Sequence, residues 1–180
     1  YELAYRMQTA GPELTDLGSE SEATREAYGL NAKESRSYGT NLLLARRLVE
    51  RGVRFVLVVH SGWDHHAGIQ SGLPKLCKET DQPTGALLAD LKQRGLLDET
   101  LVVWGGEFGR TPMSEMRRPE DANSAGRDHH PNGYSIWLAG AGIQKGRVVG
   151  ETDELGLSVT KDRIDVFDLQ ATILHLLGMD

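Results

Sequence analysis

The chain has 180 residues, 39% of them hydrophobic and 26% charged, which suits one soluble domain with a substantial core. A net charge of −6 argues against a nucleic-acid binder, which needs a basic face. The single cysteine, Cys77, excludes an intramolecular disulfide and a cysteine-rich zinc site. It lies near Leu73 and Leu76, where it is expected to pack. No run approaches the ~18 apolar residues that span a bilayer, and no signal peptide is visible. The chain starts at Tyr1 without Met and stops at Asp180 after an apolar helix, so it is expected to be a piece of a longer protein.

Leu3, Met7 and Ala10 have helical spacing, and Gly11-Pro12 is expected to break that helix. Residues 18–37 are polar and are expected to form surface loop and short helix, packed through Tyr28 and Leu30. Leu42, Leu43, Ala45, Arg46, Leu48 and Val49 predict an amphipathic helix that stops at Gly52. Val53 to Val59 is almost continuously apolar and β-branched, the pattern of a strand covered on both faces. It leads into His60-Ser61-Gly62-Trp63-Asp64-His65-His66.

A second helix is expected over residues 73–94, ended by Gly95. Thr100 to Trp104 follows as a buried strand and leads into Gly105-Gly106-Glu107-Phe108-Gly109-Arg110-Thr111-Pro112. A polar excursion from Ser114 closes at Gly126-Arg127-Asp128-His129-His130-Pro131. Tyr134 to Ala139 predicts a third strand, Val148-Val149 a short one, and residues 166–177 a last helix introduced by Asp165 or Asp168. This alternation predicts an α/β fold, a three-layer sandwich with a mainly parallel sheet, in a single domain over residues 1–180.

Ligands in open α/β sheets bind beyond the carboxyl ends of the strands. The two clearest strands end in loops carrying His60, Asp64, His65 and His66, and Glu107 and Arg110. Asp64 and His66 pair an oxygen with a nitrogen donor, and Glu107, Asp128 and His129 add more of each, a mixed set for a divalent metal such as zinc, manganese or iron. Surface histidines beside acids need not bind metal. Here four of the six histidines fall in two Asp-His-His tripeptides on separate glycine-flanked loops. His65 and His130 are the better candidates for substrate contact, and Arg110 can fork around sulfate, phosphate or carboxylate. His60 can face the site or pack. His175 is expected to be structural, and Trp63 and Trp104 to wall the site and the sheet.

The three loops resemble the motifs of the DUF1501 family, which is placed in the alkaline phosphatase and sulfatase superfamily. Residues 95–103 look like the helix, turn and strand that lead to the Asp-His-Gly metal motif of sulfatases; here that position reads Glu107-Phe108-Gly109. Residues 168–174 resemble the late sulfatase helix. The resemblance implies an alkaline phosphatase-like fold, of which this chain is the later part. It makes Asp64 and His66 a ligand pair, His129 the late histidine ligand and Asp128 its supporting neighbour. It places the nucleophile and a first aspartate ligand upstream of these residues.

The activity so implied is metal-dependent hydrolysis of sulfate or phosphate esters, on a small molecule or a polysaccharide, with zinc, manganese or calcium. His65 or His130 would protonate the leaving oxygen and Arg110 would orient the anion. Export from the cytoplasm is implied by the same resemblance. The alternative is a non-catalytic exported binding protein derived from that fold.

Overall fold

The computed structural model describes residues 2–116, 118 and 120–179. Five helices are described: α1 (Glu2–Thr15), α2 (Glu22–Ala27), α3 (Arg36–Glu50), α4 (Ile69–Gln93) and α5 (Val166–Leu176). The eight strands are short: β1 (Val102–Trp104), β2 (Gly109–Arg110), β3 (Glu115–Met116), β4 (Ala125–Gly126), β5 (His129–His130), β6 (Trp137–Ala139), β7 (Glu151–Thr152) and β8 (Val159–Lys161). They pair β1 with β6, β2 with β5, β3 with β4 and β7 with β8, always antiparallel. The expected three-layer sandwich with a mainly parallel sheet is therefore wrong. The chain is a helical and β-ribbon structure whose sheets among the described residues are four two-stranded ribbons.

Contacts divide the chain into two compact units. The first holds residues up to Trp63 together with Leu73–Leu96, the second Asp64–Gly72 together with residues from Leu97 onward.

The first unit is helical. On α4 the buried residues are Leu76, Thr80, Pro83, Leu87 and Leu91, spaced three or four apart and so on one face. On α3 Leu42, Leu43, Ala45 and Arg46 are buried, and Tyr28 joins this core from the end of α2. Leu43 and Leu91 are almost fully enclosed, each contributing roughly 1.5–3 kcal/mol relative to exposure. Both long helices stop where expected. Gly52 and Gly95 have positive φ, and the next residues, Val53 and Leu96, donate back to Leu48 and Leu91 at 3.0 and 2.8 Å. The break at Gly11-Pro12 does not occur; α1 runs through Pro12, which forfeits only its own N–H bond to the preceding turn, while its carbonyl still accepts from the Asp16 N–H at 3.0 Å. The side chains of Leu3, Met7 and Ala10 lie outside the described residues.

A buried ion cluster ties this unit together. Arg46, only 2% exposed, meets Glu20 at 2.7 Å and Asp90 at 3.1 Å, and also pairs with Glu50. Arg47 holds the other Glu20 oxygen at 2.7 Å and the Glu13 carbonyl at 2.6 Å. Burial pulls the Glu20 carboxyl up, but Arg46 and Arg47 hold it below the ordinary glutamate range. Tyr28 donates to Asp90 at 3.0 Å, and burial together with that carboxylate pushes its phenol well up.

The segment from Val53 to Val59 corrects the plainest strand expectation. It forms no helix or strand and has no strand partner among the described residues. Phe55, Leu57 and Val59 are about three-quarters exposed, with half-buried Val56 and Val58 between them. An apolar run records a preference for burial, but a sheet also needs neighbouring edges to accept its backbone. His60, at the end of this segment, packs. Its Nε2 lies 3.3 Å from Glu79, with Tyr38 and Trp63 against its ring. Cys77 is half-buried.

In the second unit Trp104 of β1 stacks on Trp137 of β6, with centroids 6.2 Å apart. Val148 and Val149 are exposed and form no strand; Glu151–Thr152 does so instead. Both aspartates expected at the start of α5 serve there, the Asp168 carboxylate accepting from the backbone N–H of Asp165 at 2.8 Å. Phe167 and His175 on this helix are exposed.

Candidate metal centre

Three stretches of the second unit meet: the 64–67 loop, the β2–β5 ribbon and the β3–β4 ribbon. Gly126 on β4 allows the close approach. A Cβ there would lie 2.1 Å from the carbonyl carbon of His66 and 2.5 Å from the nitrogen of Ala67, both rigid backbone atoms. Next to it, Arg127 donates its backbone N–H to the His65 carbonyl at 2.9 Å. On β5, Arg110↔His129 and Gly109↔His130 are the register pairs. Alternation along a strand sends these two histidines to opposite faces. His129 faces the loop, while His130 is buried, with its Nε2 lacking a hydrogen-bond partner among the described residues.

The result is a triangle of donor atoms. Asp64 Oδ1 lies 3.0 Å from His66 Nε2 and 3.1 Å from His129 Nε2, and the two imidazole nitrogens are 3.0 Å apart. Ligands of a tetrahedral zinc at 2.0–2.1 Å stand ~3.3 Å from one another. The three edges are within a few tenths of an ångström of that value, so the residues fit a divalent ion. Two nitrogens and one carboxylate oxygen, all on the exposed side of the ribbon, would leave coordination positions open. Calcium fits less well, since it takes six to eight oxygen ligands.

The same Asp64 oxygen accepts from Arg110 Nη2 at 2.5 Å. Hydrogen bonds from Arg110 and then from His129 hold the Asp64 carboxyl down to about 2. Asp64 is thus ionised at every pH at which metal could compete for it. Arg110 is held in turn by the Arg127 carbonyl at 3.2 Å, and Arg127 itself donates to the Pro112 carbonyl. Phe108 packs its ring on His129 with centroids 4.2 Å apart, and the Arg110 guanidinium lies 5.8 Å from the same ring. Phe108 therefore touches two residues of the cluster.

Of the expected ligands, the structure brings together Asp64, His66 and His129. Asp128 stands further back, 3.9 Å from His66 Nδ1, with its Oδ1 accepting from the backbone N–H of His129 at 2.7 Å. Glu107 is exposed in the loop before β2 and belongs to neither metal-type cluster found among the described residues. Of the expected catalytic residues, Arg110 is at the cluster. His65 lies against α4, where a Cβ on Gly72 would be 2.1 Å from its Nε2, and His130 lies on the far face of its ribbon. Glu115, which sequence reasoning passed over, joins His66 and Asp128 in a second acidic cluster. Its only sequence signal is an acidic residue in a segment that returns to Gly126.

These features define a protein of helices and β-ribbons that carries a two-histidine, one-carboxylate cluster beside an arginine. The chain belongs to the DUF1501 family, described as proteins of unknown function, whose family model matches residues 1–180. No curated protein and no solved structure matches the chain.

Proposed function

We propose that this protein is a metal-dependent hydrolase of sulfate or phosphate esters, with Asp64, His66 and His129 as metal ligands. The observation that carries the reading is the donor triangle, with a guanidinium on its carboxylate corner. The two imidazole nitrogens favour zinc, manganese or iron over calcium. When bound, such an ion polarises an ester oxygen and stabilises negative charge on it.

Arg110 has two tasks in this scheme. Without a metal it neutralises Asp64. With a cation bound at Asp64, the planar fork of Arg110 would be free to hold a tetrahedral oxyanion. Phe108 limits the freedom of both Arg110 and His129 from one side. His65, against Gly72, and His130, on the far face of its ribbon, are given no proton-donor role in this scheme. No residue of the cluster is assigned as nucleophile, and export rests on the sulfatase resemblance alone.

Elemental analysis of the full-length protein, combined with assays on sulfate and phosphate monoesters, tests the proposal. About one equivalent of zinc, manganese or iron is expected, lost in Asp64→Ala and His129→Ala together with ester turnover. Unchanged metal content in both variants refutes the site. Phe108 favours a second reading, a non-catalytic binding protein; metal content without turnover on either ester class supports it.

A further inference from the structure

The polar excursion between β2 and β5 has no part in the function proposed above, yet its base lies against the centre. In the β3–β4 ribbon Glu115 is the register partner of Gly126. Gly126 lies against the backbone of His66, and Glu115 reaches the ring of the same residue, with Oε2 at 2.7 Å from Nδ1. Both side chains are half-buried, at 29% and 21% exposure, so the contact is partly shielded from water.

A neutral imidazole carries one N–H, and which nitrogen holds it depends on the partners. A carboxylate only accepts. Two carboxylates face the ring, Glu115 at Nδ1 and Asp64 at Nε2, but Glu115 is closer and better shielded, and Asp64 Oδ1 already accepts from Arg110, so the proton is held on Nδ1 and the lone pair is left on Nε2. That nitrogen is the one 3.0 Å from Asp64 Oδ1 and 3.0 Å from His129 Nε2. Asp128, at 3.9 Å from Nδ1, is too far to compete for the proton.

We infer that Glu115 is the positioning residue of the centre: it selects the His66 tautomer whose Nε2 coordinates, and it fixes the plane of that ring. Carboxylates that hold a ligating histidine in this way raise its basicity, and their loss typically weakens metal binding by roughly 10- to 100-fold. The inference rests on the reading of Asp64, His66 and His129 as ligands. The alternative, in which Glu115, Asp128 and Nδ1 hold a second ion, fits less well: its edges at Nδ1 are 2.7 and 3.9 Å, well to either side of the ~3.3 Å between ligands of a tetrahedral zinc.

The test uses the full-length protein, zinc as the probe, and two substitutions. Glu115→Leu removes the acceptor; Glu115→Gln keeps an amide oxygen for the Nδ1 proton and loses the charge. Zinc titration should show affinity falling roughly 10- to 100-fold in Glu115→Leu and less in Glu115→Gln, at one equivalent throughout. In the metal-free protein, ¹⁵N NMR of the neutral His66 ring should show the proton on Nδ1 in the wild type. Glu115→Leu should show a mixture of tautomers. Wild-type zinc affinity in Glu115→Leu with an unchanged tautomer would overturn the inference, as would two equivalents that fall to one. If even the wild type takes up no zinc, the ligand reading fails; the tautomer measurement still decides the role of Glu115.

Discussion

Arg110 Nη2 donates to Asp64 Oδ1 at 2.5 Å, on the same oxygen that faces His66 and His129. A guanidinium so placed competes with any cation for the carboxylate. Arg110→Gln is therefore expected to tighten zinc binding while weakening the hold on a tetrahedral anion. The pair is exposed and screened by solvent, so the gain should be small, about a few-fold at most. Zinc titration with and without added sulfate reads both effects, and weaker zinc binding in Arg110→Gln would contradict the competition.

The same substitution should release the Asp64 carboxyl. Held down to about 2 chiefly by Arg110 and then by His129, it should rise toward the ordinary aspartate range in Arg110→Gln. The depressed value stabilises the folded state above the unfolded pKa, and that contribution disappears as pH falls through the folded value. Carboxyl ¹³C shifts followed against pH in the metal-free protein check it, and an Asp64 that titrates identically in both proteins would exclude Arg110 as the cause.

Gly126→Ala places a methyl group against the backbone of His66 and Ala67, which cannot move aside as a long side chain would. Overpacking of this sort costs about 1–3 kcal/mol. The loop should be displaced as well, with a fall in zinc affinity. Denaturant unfolding and zinc titration on the one variant would show both, and a variant that matches the wild type in the two measurements would disprove the close approach.

In the helical unit, Arg46→Ala leaves Glu20, Glu50 and Asp90 facing one another without their shared cation. Removing one partner of a buried ion cluster costs about 3–5 kcal/mol. The Glu20 carboxyl is held below its ordinary value, so its contribution is complete at neutral pH and is lost as pH falls below the unfolded glutamate pKa of about 4.3. Urea unfolding at pH 7 and at pH 3.5 should show a wild-type loss on acidification that Arg46→Ala shares only in part. Equal losses in the two proteins would remove the network from the explanation.

Leu57 is 74% exposed on a segment with no strand partner among the described residues, so Leu57→Lys is expected to change stability by less than about 0.5 kcal/mol. Thermal unfolding checks this. A loss of several kcal/mol would mean that the segment is covered in the full-length protein.

Legibility differs between the fold and the site for physical reasons. Amphipathic spacing and positive-φ glycines are local, and α3, α4 and their ends at Gly52 and Gly95 follow from them. Strand pairing is not local. Val53 to Val59 reads as a buried strand because it is apolar, while the short β2, β3, β4 and β5 ribbons have no hydrophobic signature. Asp64, His66 and His129 could be read because they stand in two Asp-His-His tripeptides, each an unusual concentration of donor atoms. Glu107 satisfied the same test and is elsewhere. Glu115 failed it and is adjacent, because only the Glu115↔Gly126 register carries it to His66.

That register also separates what must stay constant from what can vary in this part of the molecule. Glu115 and Gly126 face one another at the foot of the hairpin, one holding the ring of His66 and the other its backbone. Among the described residues of the stretch between the two strands, none contributes either of these contacts. The length and composition of that stretch can drift, or be redesigned, while the foot keeps the same grip on one histidine.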